Sequence, residues 1–175
     1  MRIDGACHCG AIAIEGEVDP DKVTICHCTD CQIGTGSAFR VSIPVPGDTF
    51  KMTGQPAIYI KTTAESGNPR ALAFCPKCGS PVYSTTPGDG PQASYMVRVG
   101  ILRQRDQLIP KRQIWARSAR PWVTELGGIP SIETQQGTSH LRDRQACAGA
   151  RDRSSFRTVG CRHGGHRTSG GVGLL

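Results

Sequence analysis

Cys26-His27-Cys28-Thr29-Asp30-Cys31 places three thiols within six residues, and this crowding constrains the fold more than any other stretch of the chain. Residues i and i+2 of an extended segment point to the same side, so Cys26 and Cys28 face one point while His27 faces away. A turn or a first helical turn after Cys28 brings Cys31 round to the same point. Thr29 is placed to cap such a helix, and a helix N-terminus favours thiolate over thiol. Three thiolates fill three corners of a zinc tetrahedron and leave the fourth open, as catalytic zinc sites do. Two plainer readings fit the same spacing: a structural site closed by a distant ligand, and a redox thiol cluster.

The surroundings favour metal. The chain has nine cysteines in 175 residues, while Met1-Arg2-Ile3-Asp4 does not read as a signal peptide and no apolar run is long enough for a membrane span. The expected compartment is therefore the cytoplasm, where clustered thiols stay reduced and serve as metal ligands rather than disulfides. The net charge of +7 hints at nucleic acid, but its distribution removes the hint. Residues 1–136 carry 14 Lys and Arg against 12 Asp and Glu, a net +2, and residues 137–175 carry 7 Arg against 2 Asp, a net +5. The body is nearly neutral and lacks the basic-aromatic strip of a nucleic-acid reader.

Along the chain, Cys7-His8-Cys9-Gly10 is a second C-x-C motif, closed by a glycine that can turn tightly at a metal. Residues 11–18 alternate as a strand, Asp19-Pro20-Asp21 is a turn, and 23–26 is a short strand entering the three-thiol segment. Gly34 and Gly36 limit any helix after it to about two turns. Strand signals then recur over 39–45, 50–53, 57–62, 70–74, 82–85 and 94–102, with polar or Pro/Gly loops at 65–69 and up to Pro91. Between two of these strands, Cys75-Pro76-Lys77-Cys78-Gly79 forms a knuckle. Short alternating strands separated by turn residues predict an all-β, mainly antiparallel domain. Trp115 and Trp122 close the body and are expected to cover its core. The predicted division is a zinc domain over 1–136 and a disordered tail over 137–175, foreign in composition to the domain. A Cys and His cluster at 161–166 is expected to bind metal only adventitiously.

Seven cysteines lie in the body: Cys7, Cys9, Cys26, Cys28, Cys31, Cys75 and Cys78. They divide as four plus three. The distant Cys7/Cys9 and Cys75/Cys78 pairs can each supply half of a closed tetrahedral zinc, whose binding would contribute on the order of ten kcal/mol to folding. Spacing alone leaves another partition open, in which Cys75 or Cys78 closes the second site. Strand alternation turns both His8 and His27 away from the thiols, toward surface or supporting roles.

These motifs, in this order, resemble the glutathione-dependent formaldehyde-activating enzyme family, also called centromere protein V-like. The resemblance is carried by Cys7-x-Cys9-Gly10, by Cys26-His27-Cys28-x-x-Cys31 with Gly34-Thr35-Gly36-Ser37-Ala38-Phe39, and by Phe74-Cys75-x-x-Cys78-Gly79. Ile114-Trp115 and Arg120-Pro121-Trp122 match the family's ending, so that it spans about residues 3–130. It implies a β-tent-like, zinc-stapled fold with two Zn2+ per chain. The structural ion would take Cys7, Cys9, Cys75 and Cys78, and the catalytic ion Cys26, Cys28 and Cys31. It also implies a carbon–sulfur lyase that condenses glutathione with formaldehyde.

The open three-thiol site suits that chemistry. A coordinated thiol is held as thiolate, a metal polarises an aldehyde oxygen, and one centre gathers both reactants. Arg40, Arg98 and Lys61 are candidates to meet glutathione's carboxylates, although the strand pattern favours solvated positions for them. No general acid stands out. Two other functions compete: a non-catalytic zinc-stabilised binding module, and a redox protein using Cys28 and Cys31. The latter lacks the βαβ context that such motifs need.

Overall fold

Alternating apolar residues and closely spaced turn residues build ten strands among the described residues, folded into two sheets. The structure is a computed structural model that describes residues 1–65, 67–88 and 93–134. The 137–175 tail, the 161–166 cluster and residues 89–91 of the Pro/Gly loop ending at Pro91 lie outside the described residues. The elements below all fall within one compact unit, Met1–Ile129. Among the described residues no helix is long and apolar enough to cross a membrane.

The strands are β1 (Arg2–Ala6), β2 (Ala13–Glu17), β3 (Thr24–Cys26), β4 (Arg40–Pro46), β5 (Lys51–Thr53), β6 (Ala57–Lys61), β7 (Arg70–Phe74), β8 (Pro81–Thr85), β9 (Ser94–Arg98) and β10 (Arg112–Ile114). An α-helix, α1 (Thr29–Thr35), follows β3. A three-stranded antiparallel sheet has the order β1-β2-β5, and a seven-stranded sheet has the order β10-β3-β4-β9-β8-β7-β6. Its pairs are antiparallel except β10 with β3, which is parallel. The expected all-β, mainly antiparallel class is the class observed. Beyond Ser42, β4 has lost β3 and is paired only with β9, which is how the strand accommodates Pro44 and Pro46.

Ile3, Ile12 and Ile14 from the small sheet and its turn pack against Ile43, Val45 and Val97 of the large one, all at most 2% exposed. Phe50, Tyr83 and Tyr95 add an aromatic cluster beside them, the closest pair stacked at 4.1 Å between centroids. Register then assigns the opposite face. Ile43 lies across from Val97, so Ser42 and Arg98, which also pair, point the other way. Cys26 pairs with Arg40 and Thr24 with Ser42, Met96 with Ser84, Ser84 with Leu72, and Leu72 with Tyr59. Cys26, Arg40, Arg98, Leu72, Tyr59 and Lys61 thus share the face turned away from the core.

Two expectations fail here. The last long strand stops at Arg98 instead of running to 102, because Val99–Ile101 form a single 3₁₀ turn. That turn lets Leu102 cross β1, bridging Gly5; a Cβ on Gly5 would sit 2.3 Å from the Ile101 carbonyl oxygen, so only glycine fits. The tryptophans do not cover the core. Trp122 is 48% exposed, and Trp115 lines a cavity, because the small sheet already covers the apolar face of the large one.

Candidate metal centre

The turn between β1 and β2 carries Cys7 and Cys9, and the turn between β7 and β8 carries Cys75 and Cys78. Their four sulfurs lie within 4.8 Å of one another, with Cys7 to Cys9 at 3.6 Å and Cys9 to Cys75 at 3.7 Å. Both turns need glycine: Gly10 and Gly79 have φ of 75° and 72°, and their N–H groups bond back to the carbonyls of Cys7 and Cys75. Ser80 joins the two turns, accepting the His8 N–H at 3.1 Å and lying 3.2 Å from the Cys78 sulfur. That hydroxyl holds the Cys78 thiol down to about 5. A regular zinc tetrahedron with bonds of about 2.3 Å has sulfurs about 3.8 Å apart, so this group has the dimensions of a closed four-sulfur site.

The second group is smaller. Cys26 ends β3, Cys28 is the residue from which α1 starts, and Cys31 lies in its first turn. Their sulfurs are 3.5, 3.1 and 3.3 Å apart, well beyond the roughly 2 Å of a disulfide. The expected cap is displaced by one residue: Thr29 is the first helical residue, and Cys28 is the N-cap, without a side-chain capping bond. The cause is local, since the Cys28 carbonyl itself accepts the N–H groups of Cys31 and Gln32. Hydrogen bonding from Cys31, with help from the charge of Arg40, brings the Cys26 thiol down to about 5, and Cys31, as donor and buried, is pushed up. Among the described residues no histidine or carboxylate joins either sulfur group. All-sulfur donor sets of this kind suit zinc.

His27 turns away from the sulfurs, as alternation predicts, but into the protein. It is 1% exposed, with Nε2 2.7 Å from Oε1 of Gln113 on β10 and its ring edge-on to Phe39. Its N–H bonds to the Ile114 carbonyl, and Gln32 donates to the carbonyls of His27 and Ser118. Gln113 and Gln32 escaped the sequence reading, since a lone glutamine carries no spacing signal. His8 is exposed.

Two cavities meet at Cys31. The first, of about 370 Å³, has Cys26, Cys28 and Cys31 in its lining together with Lys61, Arg70 and Trp115. The second, of about 430 Å³, reaches Cys31 and is walled by Arg40, Arg98, Tyr59, Leu72 and Phe74. The three basic residues expected to be solvated are not. Arg98 is 8% exposed, and burial beside Arg40 pushes its guanidinium down to about 9; the Lys61 side chain is 13% exposed and ion-paired with Asp30; Arg40 lines both cavities. Alternation reports which face of a sheet a residue occupies, and this face has α1 and the turn after β7 folded over it.

A model of the family described as Glutathione-dependent formaldehyde-activating enzyme matches residues 2–118. A search of curated proteins returns no match. Among solved structures, the chain is similar to a crystal structure of a Rhodobacter sphaeroides protein, a Northeast Structural Genomics target. The two are 20% identical with a TM-score of 0.47, over 63% of this chain and 98% of that one.

Proposed function

The chain belongs to the glutathione-dependent formaldehyde-activating enzyme family, and from that premise we propose that it is a zinc-dependent carbon–sulfur lyase. It joins glutathione, or a thiol like it, to formaldehyde or another small aldehyde. The observation that carries this reading is the inequality of the two sulfur groups: one has four members, and the other has three and opens into a cavity. On this reading Cys7, Cys9, Cys75 and Cys78 hold a structural zinc, while Cys26, Cys28 and Cys31 hold a catalytic one. When bound there, zinc with one open position keeps a thiol as thiolate and polarises a carbonyl oxygen.

The chain's own residues do the rest. Hydrogen bonding from Cys31 and the charge of Arg40 favour, at Cys26, the thiolate form that a metal needs. His27, held by Gln113, and Gln32, held between two carbonyls, fix the loop that presents the sulfurs. The lining of the first cavity carries Arg40, Lys61 and Arg70 against Asp30 and Glu65, a net positive charge that suits a carboxylate-bearing thiol such as glutathione. Seven reduced thiols require a reducing compartment, and the cytoplasm is the proposed one.

The test is metal content followed by turnover. Two zinc ions per chain are expected, one of them perturbed by added glutathione and the other not. Exchange NMR should detect accelerated formation of S-hydroxymethylglutathione, and Cys28→Ser should reduce it to the uncatalysed rate with the circular dichroism spectrum retained. Wild-type turnover by that variant, or its failure to fold, would overturn the assignment of an open site.

A further inference from the structure

Formaldehyde makes little use of what the second cavity offers. A cavity needs only roughly 10–15 Å³ of such space to admit one water, and formaldehyde is little larger, whereas this cavity measures about 430 Å³. Its charged lining is two arginines, Arg40 and Arg98, against one carboxylate, Asp30, which is already paired with Lys61. Arg98 is 8% exposed; its Nη1 donates to the Met96 carbonyl at 3.3 Å, and its Nε is buried without a partner. The Nε of Arg40 is likewise buried and unpartnered. Neither arginine belongs to an ion pair among the described residues.

Register makes the two arginines neighbours. Ser42 lies opposite Arg98 on β9, and Arg40 is the next residue on the same face of β4, a diagonal of roughly 7–8 Å that long side chains bridge. A buried guanidinium beside a half-buried one is repelled by it, and the cost is relieved when an anion joins them. Guanidinium forks match a carboxylate in particular. Tyr59, Leu72 and Phe74 make the remaining wall largely apolar, which suits a small organic acid better than an inorganic ion. The cavity ends at Cys31, one of the three clustered sulfurs, and shares Arg40 and Asp30 with the first cavity. One reactant can therefore enter from each side.

We propose that the second cavity is a carboxylate site, and that the aldehyde this protein handles carries a carboxylate held by Arg98 and Arg40. The proposal rests on the lyase reading above and narrows its second substrate to an acid-bearing aldehyde. In the reaction the thiol sulfur bonds to the carbonyl carbon, the carbon–oxygen double bond opens onto oxygen, and that oxygen takes the proton the thiol gives up. Nothing is oxidised or reduced.

Glycolate, which has the carboxylate but no reactive carbonyl, probes the site in the zinc-loaded full chain. Saturable binding at millimolar concentration is expected by titration calorimetry, and Arg98→Met should weaken it about thirtyfold, the lower end of the loss when one member of a buried charge pair is truncated. Arg40→Met, a less buried position, should also weaken it and carries the test should Arg98→Met fail to fold. In exchange NMR with glutathione, glyoxylate should show a higher kcat/KM than formaldehyde, and the ratio should collapse in either variant. No saturable glycolate binding, binding indifferent to both substitutions, or glycolate displaced by glutathione would overturn the proposal while leaving the lyase reading intact. Arginine-dependent glycolate binding by a protein that joins neither aldehyde to glutathione would instead overturn the lyase reading and leave the carboxylate site standing.

Discussion

His27 shows how one side chain between two proposed metal ligands can matter through its own contacts. Its ring is 1% exposed, Nε2 meets Gln113, and Nδ1 is buried without a partner. Replacing Gln113 by alanine removes the imidazole's one hydrogen bond while leaving the ring buried, and an unsatisfied buried polar group costs about 1–3 kcal/mol. Gln113→Ala should therefore lower the unfolding free energy of the metal-loaded protein by about that amount in urea titrations, although Gln113 itself is exposed. An unchanged midpoint would mean that the β10 contact does not hold the Cys26-x-Cys28 loop. That His27 faces away from the sulfurs was readable from the two-residue period of an extended segment. That it faces a buried pocket was not, because its partner lies 86 residues away.

The strands differ in how much of their apolar character they use. Ile43 on β4 is fully buried between the sheets, whereas Ile58 and Ile60 on β6 are 48% and 45% exposed although they occupy the core face of the large sheet. The reason is extent: β6 is the edge strand of seven, and the three-stranded sheet does not cover it. Ile43→Ala should cost about 2–5 kcal/mol as a core truncation. Ile58→Ala should cost about 1 kcal/mol, since full burial of such a side chain contributes about 1.5–3 kcal/mol. Chemical denaturation of the two variants side by side checks the contrast, and equal losses would place β6 in the core. The alternation of 57–62 identified the strand but carried no information about what would cover it. The same physics explains Arg98. Its spacing from Val97 put it on the face opposite the core, which in a two-layer reading is solvent, and only the return of α1 and the turn after β7 makes that face an interior. Cysteine grouping was readable for the converse reason, since ligand chemistry constrains distance directly, whereas burial of an arginine depends on a third layer that periodicity does not encode.

The four-sulfur group ties the sheets together. Cys7 and Cys9 sit at the β1–β2 turn of the small sheet, and Cys75 and Cys78 at the β7–β8 turn of the large one. Apart from the packing of one apolar face on another, this is the point where those sheets are joined by their chemistry. A structural zinc contributes about 10–16 kcal/mol in small modules, as much as the whole stability of an ordinary domain at about 5–15 kcal/mol. Cys26, Cys28 and Cys31 belong to one continuous segment whose backbone is already held by β10, β4 and Gln32, so losing an ion there releases no long-range contact. Stepwise chelation of the zinc-loaded protein should therefore proceed in two stages. A moderate chelator should remove one equivalent and abolish turnover with the far-ultraviolet circular dichroism unchanged. A stronger one should remove the second equivalent together with the fold, in a single cooperative loss of strand signal. Were both ions to leave together, or the fold to survive the loss of both, the two sulfur groups would not play the separate structural and open roles on which the function rests.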